Sequence, residues 1–146
     1  MATVSQITPR TLLKIKKIAV LTDFSENADL ALRYAAAFAR GYEASLVLAH
    51  AYVPPYYAFA APEANLVYQA FHDLSEDLSA RLKAKASATY LQSLRCTTLL
   101  REGAPKDLLD ELHDADLIVV GTSGATGFEK AALGSTAEAI FRSSKV

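Results

Sequence analysis

A chain of 146 residues, 51% hydrophobic and 21% charged, suits one domain with one substantial core and does not have the composition of a disordered protein. A formal net charge of −1, with Lys14, Lys16 and Lys17 as the one basic cluster, provides no field for wrapping nucleic acid. A single cysteine, Cys96, excludes an intrachain disulfide, and no apolar run approaches the roughly 18 residues that a membrane helix needs.

Residues 1–13 read as a tail without an apolar targeting segment, so a cytoplasmic location is expected, with the domain running over 14–146. "KIAVLTD" (17–23) is a compact apolar run without helical period and reads as a buried parallel strand. In "FSENADLALRYAAAFARG", Ala28, Ala31, Leu32, Ala35, Phe38 and Ala39 share a helical face, with Ser25 as N-cap and Gly41 as the stop. "ASLVLAHAY" (44–52) is the second strand, and the Pro- and Tyr-rich "VPPYYAFAAPEAN" breaks the pattern, as a surface loop or as a flap over a ligand. A long helix is expected from about 65 to 94, with Phe71, Leu74, Leu78 and Leu82 inward. "CTTLLREG" is the third strand and places Cys96 as a small apolar side chain. "PKDLLDELHDA" is a short helix, "DLIVVG" the fourth strand and "STAEAIFRSS" the last helix. Strand and helix alternate throughout, which implies an α/β, doubly wound parallel sheet of the Rossmann-like kind. Ligands of such sheets bind outside the carboxyl ends of the strands, where strand order reverses. Asp23 and Gly121 stand at two such ends.

The segment "GTSGATGFEKAALGST" (121–136) joins the fourth strand to the last helix. Its glycines are either turn glycines with an N-cap serine or a cradle whose backbone N–H groups take phosphate at a helix N-terminus. It is neither a GxxxxGK[ST] loop nor a GxGxxG fingerprint. Asp23 reads from its position alone as an Asx-turn acceptor before the first helix or as a ligand residue, and His50 as a core histidine with its polar atoms satisfied. A Ser123–His50–Asp23 triad lacks the GxSxG elbow, and no Cys, His and Asp cluster has metal-ligand spacing.

Gly121-x2-Gly124-x9-Gly134-Ser135 resembles the nucleotide motif of the universal stress proteins. "KKIAVLTDFSENADLALRYAAAFA", "LVLAHAY" and "REGAPKDLLDELHDADLIVVGTSGATGFEKAALGSTAEAI" are similar to further stretches of that family. The resemblance implies a five-stranded sheet ordered 3-2-1-4-5, usually dimeric, with ATP or a related adenine nucleotide (AMP or ADP) held between strands one, two and four. By the same resemblance Leu21, Thr22 and Asp23 are the strand-one ligand positions, with Asp23 on the ribose, and Ala51 lies beside adenine. Val120, Gly121, Ser123 and Gly124 form the strand-four loop, and Gly134, Ser135, Thr136 and Ala137 the phosphate turn. Mg²⁺ or Mn²⁺ would accompany the phosphates. Ser123 and Ala125 replace the His and Arg common in the family, and the chain ends at "RSSKV" where a fifth apolar strand is expected. A cut carboxyl terminus or the first half of a tandem protein would explain that ending. The function implied is a regulatory nucleotide-binding module. The rivals are a slow ATPase using Ser135 or Thr136, and a dimerisation domain that binds no nucleotide.

Overall fold

The computed structural model describes residues 13–54, 64–122 and 135–143. Four strands, β1 (Lys17–Leu21), β2 (Ser45–Tyr52), β3 (Cys96–Glu102) and β4 (Leu117–Val120), form one sheet in the order β3-β2-β1-β4. All pairings are parallel, with Leu21 opposite Ala49 on one side and Val120 on the other. The helices are α1 (Glu26–Tyr42), α2 (Ala64–Ala86), α3 (Leu108–Glu111) and α4 (Ser135–Ser143).

Both faces of the sheet are covered, which is why its central strands are continuously apolar. Ile18, Val20, Leu46 and Leu48 point to one face and pack with Leu32, Ala35, Ala36 and Ala39 of α1 and Leu82 of α2. The alternate residues Ala19, Leu21, Val47 and Ala49 pack with Leu108, Leu112 and Ile140 on the other. The chain steps from β1 to β2 to β3 with helices on one face. It then crosses to the far side of β1, and right-handed crossover puts the next helices on the opposite face. Strand order therefore reverses between β1 and β4, as the doubly wound expectation requires.

Three local expectations are corrected. Gly41 does not stop α1: the helix continues through Tyr42, and Glu43 takes the left-handed position (φ 56°), its N–H donating to the carbonyls of Ala39 and Arg40. Phe38 is not on the inner face. It lies about 100° around the helix from Ala39 and stands half-exposed in an outer ridge with Leu30, Tyr34 and Tyr42. The long helix ends at Ala86, not 94, and is followed by a 3-10 turn at Thr89–Leu91 that buries Leu91. Leu78 and Leu82 are its inward residues, whereas Leu74 is exposed and Phe71 only partly covered.

The basic approach to β1 has defined partners. Lys17 Nζ meets Asp114 at 2.6 Å, and Asp116 Oδ2 accepts the N–H groups of Lys16 and Lys17 at 2.7 and 3.0 Å. These bonds hold both carboxyls below the ordinary carboxylate range and pin the entry of β4 to that of β1. Cys96 is half-buried against the core, and burial raises its thiol pKa, which disfavours the thiolate.

Candidate functional site

The corner from β1 into α1 is tied by three successive side chains. Thr22 Oγ1 accepts the N–H of Phe24 at 3.0 Å, Asp23 Oδ1 accepts that of Ser25 at 3.0 Å, and Ser25 Oγ accepts that of Ala28 at 3.2 Å. The expected N-cap at Ser25 is present, with Glu26 and Asp29 in the first turn where they suit the helix dipole. The Asx-turn reading of Asp23 is realised. One carboxylate oxygen holds the turn, and the residue is half-exposed at the carboxyl end of β1.

The opposite wall is the end of β4. Val120 pairs with Leu21, so Val120 and Gly121 emerge beside Leu21 and Thr22. A Cβ at Gly121 would come within 3.3 Å of Asn27 C and O and of Ala28 N, the backbone of the first turn of α1. Gly121 thus answers a packing need of its own: it lets the end of β4 close on the start of α1. Ala51 lies at the carboxyl end of β2, two residues beyond the Ala49 that pairs with Leu21, and its β3 partner is Arg101. The fold therefore brings Leu21, Thr22, Asp23, Ala51, Val120 and Gly121 to one end of the sheet, across the reversal of strand order. Ser123, Gly124 and Gly134 lie outside the described residues. Ser135 and Thr136 open α4, and Ala137 is buried, so that only its backbone could serve a ligand. A hollow of about 340 Å³ beside Arg40, Glu43 and Arg95 lies at the amino ends of the strands and shares no residue with this crevice.

In the layer behind the corner the expected core histidine, His50, is present with Nδ1 satisfied, and sequence reasoning missed its partners Phe24 and Arg81. His50 Nδ1 lies 2.7 Å from the carbonyl oxygen of Thr22. A carbonyl only accepts, so Nδ1 carries the proton of the neutral ring. Burial holds the imidazole pKa below 6.5, and Arg81 pushes the same way, while the Thr22 carbonyl and Asp23 oppose them. Phe24 adopts φ 64°, a left-handed conformation that costs a bulky residue roughly 1–2 kcal/mol. One side of its ring meets His50, with centroids 4.7 Å apart and planes at 58°. The Arg81 guanidinium carbon stands 4.1 Å from the ring centroid. The signal available in sequence was the absence of glycine from a tight strand-to-helix corner, with a large aromatic in its place.

The model of the universal stress protein family matches residues 14–146. A universal stress protein of Methanocaldococcus jannaschii, MJ0531, is 28% identical over 87% of this chain and 76% of its own. Among solved structures, that of hypothetical protein MJ0577 superposes with a TM-score of 0.75 at 22% identity, covering 91% of this chain and 92% of that one, a likeness of fold. A universal stress protein in complex with cAMP superposes with a TM-score of 0.54 at 28% identity, over 92% of this chain and 94% of its own. With the family model matching residues 14–146, and so every described strand and helix, this chain belongs to the universal stress protein family.

Proposed function

We propose that this protein is a regulatory module of the stress response, acting in the cytoplasm, that binds ATP or a related adenine nucleotide in the crevice outside β1, β2 and β4. The observation that carries the reading is the side-by-side emergence of Thr22–Asp23 and Val120–Gly121 at the reversal of strand order, where sheets of this kind take their ligands. The cAMP bound by a relative of 28% identity supports the adenine-nucleotide class. In this reading Asp23 meets the ribose, Ala51 borders the adenine, and the 121–136 segment with the start of α4 receives the phosphates, where backbone N–H groups and the helix dipole favour anions. Among the described residues no group of three His, Cys, Asp or Glu side chains is placed to hold a metal, so Mg²⁺ or Mn²⁺ would be carried by the phosphates. The sequence lacks a P-loop lysine, so hydrolysis is slow or absent. A second copy, or a similar domain in tandem, would pair with β4, which lies at the edge of the sheet with all four side chains partly exposed.

Calorimetric titration with ATP, AMP and cAMP is the test. ATP or one of its relatives should bind, and Gly134→Val should weaken that binding at least tenfold, about 1.4 kcal/mol, by placing a side chain in the phosphate turn. A folded wild-type protein that binds none of the three overturns the reading in favour of a dimerisation domain.

A further inference from the structure

We propose that Phe24 is the positioning residue of the nucleotide crevice: its ring, wedged between His50 of β2 and Arg81 of α2, locks the Thr22–Ser25 corner and so aims Asp23. This deepens the proposed function and rests on it. The corner sits at the carboxyl end of β1, opposite Gly121. Its shape depends on Phe24 being left-handed, roughly 130° in φ from the right-handed well that a phenylalanine ordinarily fills. Such a conformation persists only where the surroundings over-determine it, and here they do so from two other elements. β2 grips the residues before the ring: the N–H of Thr22 donates to Ala49 O at 2.9 Å, and His50 Nδ1 donates to the Thr22 carbonyl at 2.7 Å. The same His50 ring then meets Phe24. α2 contributes Arg81, whose guanidinium lies over the aromatic face as a cation–π contact.

If Phe24 relaxed to negative φ, the N–H of Ser25 would swing away from Asp23 Oδ1. The direction of Asp23 is thus set by a ring that packs on His50 and Arg81. Glycine suits φ 64° better than phenylalanine, so the side chain serves the clamp and not the backbone conformation. The Phe24→Gly variant separates the two roles.

The test compares wild type with Phe24→Gly, Phe24→Tyr and Arg81→Met. It reads ATP affinity by calorimetry and, without ligand, amide hydrogen exchange at Ser25. The expected result is faster exchange at Ser25 and at least tenfold weaker binding in Phe24→Gly. Phe24→Tyr should restore both, and Arg81→Met should fall between. Unchanged exchange in Phe24→Gly overturns the proposal, as does wild-type affinity in a Phe24→Gly protein whose corner exchanges faster. If wild type binds none of ATP, AMP and cAMP, the nucleotide reading falls, and with it the claim about affinity. The exchange data alone then decide whether Phe24 sets the corner.

Discussion

His50 works as a neutral donor: the proton on Nδ1 holds the Thr22 carbonyl, and a second proton would have to enter a half-buried site near Arg81. Its native pKa lies below the ordinary 6.5. Between those two values the unfolded chain binds more protons than the folded one, so stability rises with pH through that window. The contribution is complete above about pH 6.5 and is lost as the pH falls toward the native value. The His50 ring signals should therefore titrate in NMR with a midpoint under 6.5, and His50→Gln should flatten the stability profile just below that pH. A midpoint at or above 6.5 would show that burial does not govern this ring. At this scale the sequence was readable where a residue's chemistry is local. Ser25 before an apolar helical face is an N-cap, and Asp23 two residues before it can close an Asx-turn. Phe24 was not readable, because the contacts that hold it come from residues 26 and 57 positions away.

Among the elements, α1 shows most directly how periodicity can mislead. Its inner face consists chiefly of alanines, with Ala35, Ala36 and Ala39 fully buried, so the helix lies close on the sheet and there is no room for Phe38 there. A glycine near the end of a helical pattern is the usual sign of a left-handed cap. In this helix that position falls to Glu43, two residues later, after the last sheet-facing residue, Ala39. Gly41 is consequently a helical residue with open space around the place of a Cβ. Gly41→Ala should stabilise the protein by roughly 0.5–1 kcal/mol through lost unfolded-state freedom, measured by urea denaturation. Destabilisation would mean that Gly41 is the cap after all. Gly103 is the contrasting case. At φ 136°, with a hypothetical Cβ only 2.6 Å from Asp107 Oδ2, it is required by the turn after β3, where Asp107 accepts the N–H of Ala104.

For the whole molecule, a ligand that binds the folded state at the junction of β1, β2 and β4 stabilises every element at once. At a hundred times its dissociation constant, a nucleotide adds about 2.7 kcal/mol, which for a domain of this size raises Tm by roughly 5–10 °C. Thermal scans with and without ATP should show that rise, and Gly134→Val should remove about half of it or more at the same concentration. An equal rise in both proteins would place the nucleotide away from the phosphate turn.

The sequence by itself determined the α/β alternation, the parallel sheet and the family. Compact apolar strands, helical faces and punctuating glycines and prolines are short-range patterns, and burial on both faces of the sheet leaves them legible. The motif residues at the ends of β1 and β4 were legible for the same reason, since strand ends follow from strand positions. The resemblance supplied the strand order, and only the tertiary structure decided the register that sets Val120 against Leu21, the closure of Gly121 on Asn27 and Ala28, and the grip of His50 and Arg81 on Phe24. Each of these joins residues from separate elements. Such contacts follow from the strand order and from how tightly the helices lie on the sheet, and neither leaves a periodic trace in the chain.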